Sequence, residues 1–195
     1  MTPPRRDDAP GRIEERLIHE GRIVRLSVDT VRLPDGRIAE RELVHHAGAS
    51  AILPILSAPD LPDPEILLIR QWRYATSGEI LEIPAGVRAS PRESFRECAH
   101  RELREETGYR AGRLEPLVPL WTAPGFTNER VHLFVAWDLD EGERELDPDE
   151  FVEEVKLPLS RALDAVRGGR ITDAKTLAAI LWLAHLGPHS HLGPR

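Results

Sequence analysis

Short apolar runs dominate the first part of the chain, a helical stripe follows, and then strands return before two closing helices. Ile23, Val24, Leu26, Val28 and Val31 roughly alternate with polar residues, the period of a half-buried strand. Pro34-Asp35-Gly36 supplies turn chemistry, and a second run from Ile38 to Val44 makes the pair a candidate hairpin. Ala51-Ile52-Leu53-Pro54-Ile55-Leu56 reads as a buried strand. A polar loop from Ser57 to Pro64 separates it from Ile66-Leu67-Leu68-Ile69 and from a strand around Ile80 to Ile83. Strands resume around Leu114 to Trp121 and Val131 to Trp137, and the acidic stretch from Asp138 to Glu154 contains a loop. Helices are predicted over Ser160–Arg167 and Thr172–Leu186, the latter stopped by Gly187-Pro188. The order of strands, helix, strands and helices predicts one α+β, mixed-sheet domain.

The central helix lies between Ser90 and Thr107 and stops at Gly108. Its start is ambiguous, because Ser90-Pro91-Arg92-Glu93 and Ser94-Phe95-Arg96-Glu97 are successive capping boxes. With Phe95 at zero and about 100° per residue, Ala99 falls at roughly +40°, Cys98 at roughly −60° and Leu103 at roughly +80°. Arg101, Arg104, Glu97 and His100 take the polar side. Glu102 lands at roughly −20° and Glu106 at roughly +20°, within the apolar stripe, and Glu105 at its edge at roughly −80°. A buried carboxylate near a helix C-terminus needs a compensating charge. An arginine is one candidate; a hard divalent cation, Mg²⁺ or Mn²⁺, is the other.

Composition narrows the field. The 195-residue chain is 41 % hydrophobic and 30 % charged, as in ordinary globular domains. Its formal net charge of −7 argues against long nucleic acids as partners. Cys98 is the only cysteine, which excludes an intrachain disulfide framework and a cysteine zinc cage and fits a cytoplasmic location. On the helical stripe, Cys98 reads as packing. The polar, Pro-rich start has no secretory h-region, and no apolar run approaches the ~18 residues of a membrane helix. His45-His46 has no visible set of metal partners, and Trp72, Trp121, Trp137 and Trp182 read as core or dimer contacts.

The stretch from Gly86 through Glu93 to Arg101-Glu102-Leu103-Arg104-Glu105-Glu106-Thr107-Gly108-Tyr109 resembles the signature of the Nudix hydrolases. From Glu93 onward the match is complete. Six residues separate Gly86 from Glu93, one more than the family pattern has. The flanks resemble the ADP-ribose pyrophosphatases of that family. Gln71-Trp72-Arg73, Leu81-Glu82-Ile83-Pro84-Ala85-Gly86, Ala123-Pro124-Gly125-Phe126-Thr127-Asn128-Glu129 and Gly169-Arg170-Ile171-Thr172-Asp173-Ala174-Lys175-Thr176 carry this similarity.

The resemblance implies a Nudix α/β/α sandwich with a mixed β-sheet and an N-terminal antiparallel β region. It divides the chain into a flexible segment 1–12, a dimerising β region 13–48, a hydrolase domain 49–187 and a flexible tail 188–195. It further implies Mg²⁺-dependent cleavage of ADP-ribose to AMP and ribose 5-phosphate. Glu102 and Glu106 would hold the metal, with Glu105 assisting and the Ala85 carbonyl as a further ligand, while Arg101 makes an orienting ion pair. Glu150, with Glu153 second, is the expected base in the acidic loop. Arg73 is expected to clamp the diphosphate. Glu82 binds metal or a ribose hydroxyl, or pairs with a neighbouring arginine. Pro124 stands where a proline marks ADP-ribose specificity, Gly125 admits close backbone approach, Glu129 accepts from a ribose hydroxyl, and Arg22 and Ile23 match positions that cover the adenine. The partners implied are a small nucleotide sugar and a second copy of the chain, with no membrane. Another nucleoside diphosphate sugar such as GDP-mannose, or non-catalytic sensing of ADP-ribose, stays open.

Overall fold

The structure, a computed structural model, describes residues 9–58, 61–146 and 151–186. Glu150, the rest of the segment 147–150, the Gly187-Pro188 stop, the tail and residues 1–8 lie outside them. The chain divides into two compact units: residues 1–47 with 121–130, and residues 48–120 with 131–195.

The first unit holds an antiparallel three-stranded sheet of β1 (Gly11–Glu20), β2 (Arg25–Arg32) and β3 (Ile38–His45), in that order. The hairpin expected around Pro34-Asp35-Gly36 joins β2 to β3, closed by the Gly36 N–H on the Leu33 carbonyl at 2.9 Å. The segment 121–130 belongs to this unit. The Val44 N–H donates to the Phe126 carbonyl at 2.8 Å, and the His46 N–H to Asn128 Oδ1 at 2.8 Å.

The second unit contains two sheets. One runs β10 (Val152–Pro158), β5 (Glu65–Arg73), β6 (Gly78–Glu82). The other runs β7 (Ala85–Val87), β4 (Ala49–Pro54), β9 (Arg130–Asp140), β8 (Arg110–Trp121), with β4 parallel to β9 and antiparallel to β7. Helix α1 (Phe95–Thr107) packs on β4 and β7; α2 (Leu159–Arg167) and α3 (Ala174–His185) pack on each other and on the strands.

Alternation along buried strands builds the two cores. Ile52 of β4 and Leu67 of β5 join Ala99 and Leu103 of α1. Their neighbours Ala51, Leu53, Ile66 and Leu68 join Ala162, Ile171 and Ile180 on the α2 and α3 side. Helices on both faces of fully buried strands make the expected α/β/α layering of an α+β domain. Of the tryptophans, Trp137 is buried in the core and Trp182 packs partly against it, whereas Trp72 and Trp121 are exposed. No described helix is long and apolar enough to cross a membrane.

The stop of α1 is stereochemically strict. Gly108 has φ +78°, its N–H reaches the Arg104 carbonyl at 2.7 Å, and an added Cβ would collide with the Gly142 carbonyl. Gly108→Ala is therefore expected to destabilise the protein by about 1–3 kcal/mol, read as a lower chemical-denaturation midpoint. An unchanged midpoint would contradict this account of the helix end.

Candidate active site

Of the two capping boxes, the second starts the helix. Ser94 Oγ accepts from the Glu97 N–H at 3.2 Å, and Glu97 Oε2 accepts from the Ser94 N–H at 2.7 Å. The first box folds instead as a turn, with the Glu93 N–H on the Ser90 carbonyl at 3.1 Å. That turn takes up the loop between Gly86 and the helix and aims Glu93 at Arg101.

Arg101 crosses the edge of the helix instead of pointing to solvent as a wheel would place it. Its Nε donates to Glu93 Oε1 at 2.8 Å, and its Nη1 donates to Glu102 Oε1 at 2.7 Å and Glu105 Oε2 at 2.8 Å. Its Nη2 reaches the Val87 carbonyl at 2.9 Å. These bonds hold the guanidinium pKa above its ordinary value and Glu93 below its own. Glu102 and Glu106 are 8 % and 2 % exposed, as their places on the apolar stripe require. Glu106 Oε2 accepts the Ala85 N–H at 3.0 Å, and Gly86 lies directly against the Glu102 carboxylate. One cation thus serves three of the four carboxylates. The set offers only oxygen ligands, the donor type that suits a hard divalent cation. Cys98 is buried beside them, and desolvation raises its thiol pKa, in keeping with a packing role.

A second charged cluster lies at the end of β6. Arg73 donates to Glu82 from Nε at 2.7 Å and from Nη2 at 3.2 Å, and Lys175 donates to the same carboxylate. Lys175 also pairs with Asp173 at 3.0 Å. Of the readings open for Glu82, the arginine pair is present, and the lysine was not anticipated. Burial raises the Glu82 pKa, but the bonds and charges of Arg73 and Lys175 outweigh it, so the carboxyl titrates below its ordinary range. A carboxyl whose pKa is depressed by folding adds stability that is present above its unfolded pKa and lost as pH falls through the folded one. The Tm is therefore expected to decline with acidification below the ordinary glutamate pKa, about 4.3. Glu82→Gln should lower Tm at neutral pH and flatten that decline. Equal pH slopes for the two proteins would refute the assignment.

The remaining expected residues lie in the first unit, save Glu153. Arg22 and Ile23 are exposed in the turn between β1 and β2, and Pro124 and Gly125 form an exposed turn within 121–130. Glu129 Oε2 accepts from Thr122 Oγ1 at 2.7 Å and its Oε1 lies 3.4 Å from His46 Nδ1. Glu153 is exposed on β10 beside Arg70 at 3.3 Å. Contrary to expectation, His45 does gain partners capable of binding metal: Glu15, Asp29 and His45 bring ligand atoms within 4.8 Å of one another. Arg25 and Arg12 already pair with Glu15, however, and Ser27 Oγ bonds Asp29 at 2.6 Å, so the cluster is satisfied by protein groups.

Comparison with known proteins shows the family. The NUDIX domain matches residues 48–180, and the nucleoside diphosphate sugar hydrolase N-terminal domain matches residues 12–44. The chain is 40 % identical over 173 residues to the ADP-ribose pyrophosphatase of Bacillus subtilis, covering 88 % of this chain and 90 % of that protein. It is equally similar, with the same coverage, to the methanol dehydrogenase activator of Bacillus methanolicus. The GDP-mannose pyrophosphatase of Cronobacter sakazakii is 32 % identical over 188 residues, which cover 89 % of this chain and 93 % of that one. A crystal structure of an ADP compounds hydrolase shares the fold, with a TM-score of 0.74 at 24 % identity over 88 % of this chain and 90 % of that chain. The chain thus belongs to the Nudix family, as a pyrophosphohydrolase of its nucleoside diphosphate sugar branch.

Proposed function

We propose that the protein hydrolyses the pyrophosphate bond of ADP-ribose, giving AMP and ribose 5-phosphate, with Mg²⁺ as its metal and Mn²⁺ as a substitute. The observation that carries this reading is the pair of buried carboxylates, Glu102 and Glu106, set against the Ala85-Gly86 backbone with Glu105 alongside. Glu102, Glu105 and Glu106 would hold the cation, with the Ala85 carbonyl as a further ligand. A divalent cation bound there would neutralise phosphoryl charge and lower the pKa of a bound water. Arg101 keeps Glu102 and Glu105 in place, and Arg73 takes the diphosphate. Glu150, or Glu153 after it, accepts the proton of the attacking water. Arg22, Ile23, Pro124, Gly125 and Glu129 contact the nucleoside and the terminal ribose, and Glu82 pairs with Arg73.

In this reading residues 13–48 form a dimerising region ahead of a hydrolase domain over 49–187, and the protein works in the cytoplasm. Support for a homodimer comes from β1, a ten-residue edge strand that exposes Ile13, Leu17 and Ile18. Unpaired strand edges with apolar side chains invite a second chain. Light scattering on the eluted protein tests this: twice the chain mass supports it, and the chain mass alone defeats it.

The activity is tested by incubating the protein with ADP-ribose, GDP-mannose, dinucleoside polyphosphates and NADH, with and without Mg²⁺, and following AMP or GMP release. Preference for ADP-ribose is the expected result. Relatives named GDP-mannose pyrophosphatase favour that sugar as the second reading. Faster release of GMP would establish it. Binding of ADP-ribose without turnover in Mg²⁺ would instead identify a sensor.

A further inference from the structure

Lys175 is one of only two lysines in a chain that otherwise uses arginine for its basic side chains. It stands in the first turn of α3, next to the N-cap Asp173. A cation is disfavoured there by the helix dipole, so its place needs a local reason. The reason lies across the fold, at the Glu82 carboxylate. The Glu82 side chain is 3 % exposed and that of Lys175 is 16 % exposed. Glu82 Oε1 takes Arg73 Nε, while Oε2 takes both Arg73 Nη2 and Lys175 Nζ. Asp173 completes the group: Oδ1 accepts from Lys175 at 3.0 Å, and Oδ2 accepts from the Thr176 N–H at 3.0 Å and from Thr176 Oγ1 at 2.6 Å. Thr176 Oγ1 in turn accepts the Ile83 N–H at 2.9 Å. The start of α3 therefore grips the end of β6, just before the Ala85-Gly86 backbone.

Charge counting gives Lys175 a purpose beyond packing. Arg73 and Lys175 balance Glu82 and Asp173. Without the lysine, Arg73 alone would face two carboxylates, and it also feels the field of Glu106. A guanidinium neutralised in this way is a poor ligand for an anion. With the lysine sharing Glu82, Arg73 commits only its Nε–Nη2 edge, and its Nη1 makes no hydrogen bond among the described residues. An ammonium suits this task better than a second guanidinium, because it takes one oxygen as a point charge and leaves the bidentate pair to Arg73.

We propose that Lys175 is a positioning residue for substrate binding: it holds Glu82 and offsets its charge so that Arg73 keeps its free edge and positive field for the diphosphate. This rests on the reading of Arg73 as the diphosphate clamp.

The test is steady-state kinetics with whichever of ADP-ribose and GDP-mannose the protein turns over faster, at fixed Mg²⁺. Lys175→Gln retains a donor to Glu82 and removes the charge, which favours a folded variant; its Tm is measured alongside. The expected result is a KM raised about tenfold with kcat changed by less than about threefold. Lys175→Arg should bring KM back to within about threefold of the unaltered protein, because it restores the charge. In an Arg73→Gln background, Lys175→Gln should have no further effect on KM, since the lysine acts through Arg73. An unchanged KM in folded Lys175→Gln overturns the proposal, as does an undiminished effect in the Arg73→Gln background. A normal KM for Arg73→Gln itself overturns the clamp reading, and that result is separate from the first two. Should Lys175→Gln fail to fold, the same KM comparison in Lys175→Arg decides: a KM raised more than about tenfold despite the retained charge overturns the proposal.

Discussion

Glu106→Gln is expected to lower kcat by about two to three orders of magnitude while leaving the protein folded. The amide is nearly isosteric and still offers an oxygen to the Ala85 N–H, the bond that Glu106 Oε2 makes at 3.0 Å. A side chain that is 2 % exposed loses little packing in the exchange, and the cost of desolvating a buried charge disappears. What the variant lacks is negative charge on the helix face where Glu102 and Glu105 lie. Glu93, Glu102 and Glu105 share the guanidinium of Arg101, and Glu106 lies in the field of Arg73. Glu106 shares the buried face of the helix with Glu102, and its loss should weaken a bound cation. Thermal melts of the two proteins with and without Mg²⁺ separate the causes. The unaltered protein should gain Tm from the ion, by linkage to binding, and Glu106→Gln should gain much less. A variant with near-normal kcat would remove Glu106 from the metal set, and equal Mg²⁺ shifts in Tm would do the same.

How legible this site was in the sequence depended on distance along the chain. Glu102 and Glu106 could be placed because the helical period is local, and the face shared with Ala99 and Leu103 is the buried one. The helix start could not be chosen locally, since Ser90 and Ser94 satisfy the same capping rule. Glu93 decides it by pairing with Arg101 at 2.8 Å, a contact that needs the preceding turn. The wheel put Arg101 in solvent because it tracks Cβ directions, and a long side chain can fold back across the surface. Lys175 left no local signal at all: its partner Glu82 lies 93 residues away, and the two meet only when α3 docks beside β6. The association of 121–130 with the N-terminal unit was hidden for the same reason, as it rests on backbone bonds such as Val44 to Phe126. Three strands were not placed individually, the three-residue β7 (Ala85–Val87), β10 and β1, although β1 falls largely within the expected β region 13–48. In β1 nearly every residue is exposed, so no apolar alternation marks it, and in β10 the apolar positions Val152, Val155 and Leu157 are spaced unevenly within an acidic stretch.

Gly86→Ala should reduce kcat by about a hundredfold while changing the denaturation midpoint little. Glycine is required here by proximity: a Cβ built on Gly86 would fall within the Glu102 carboxylate, against Oε1, Cδ and Oε2. The three nearest atoms all belong to the end of the Glu102 side chain, so the tightest clash is with a flexible group and not with backbone. The far end of a flexible glutamate gives way instead, and that carboxylate is one of those proposed to hold the metal. Its displacement also breaks the 2.7 Å pair with Arg101, though Glu93, Glu105 and the Val87 carbonyl still hold the guanidinium. Stability and catalysis should therefore part company. Gly108→Ala offers the contrast, because its Cβ would meet a backbone carbonyl at positive φ and should destabilise the fold. The pairing also admits a suppressor. Shortening the displaced side chain, as in Gly86→Ala with Glu102→Asp, makes room for the methyl and should recover part of the lost kcat. If Gly86→Ala instead unfolds the protein, or retains full activity, the close approach of Gly86 to Glu102 is not what the site depends on.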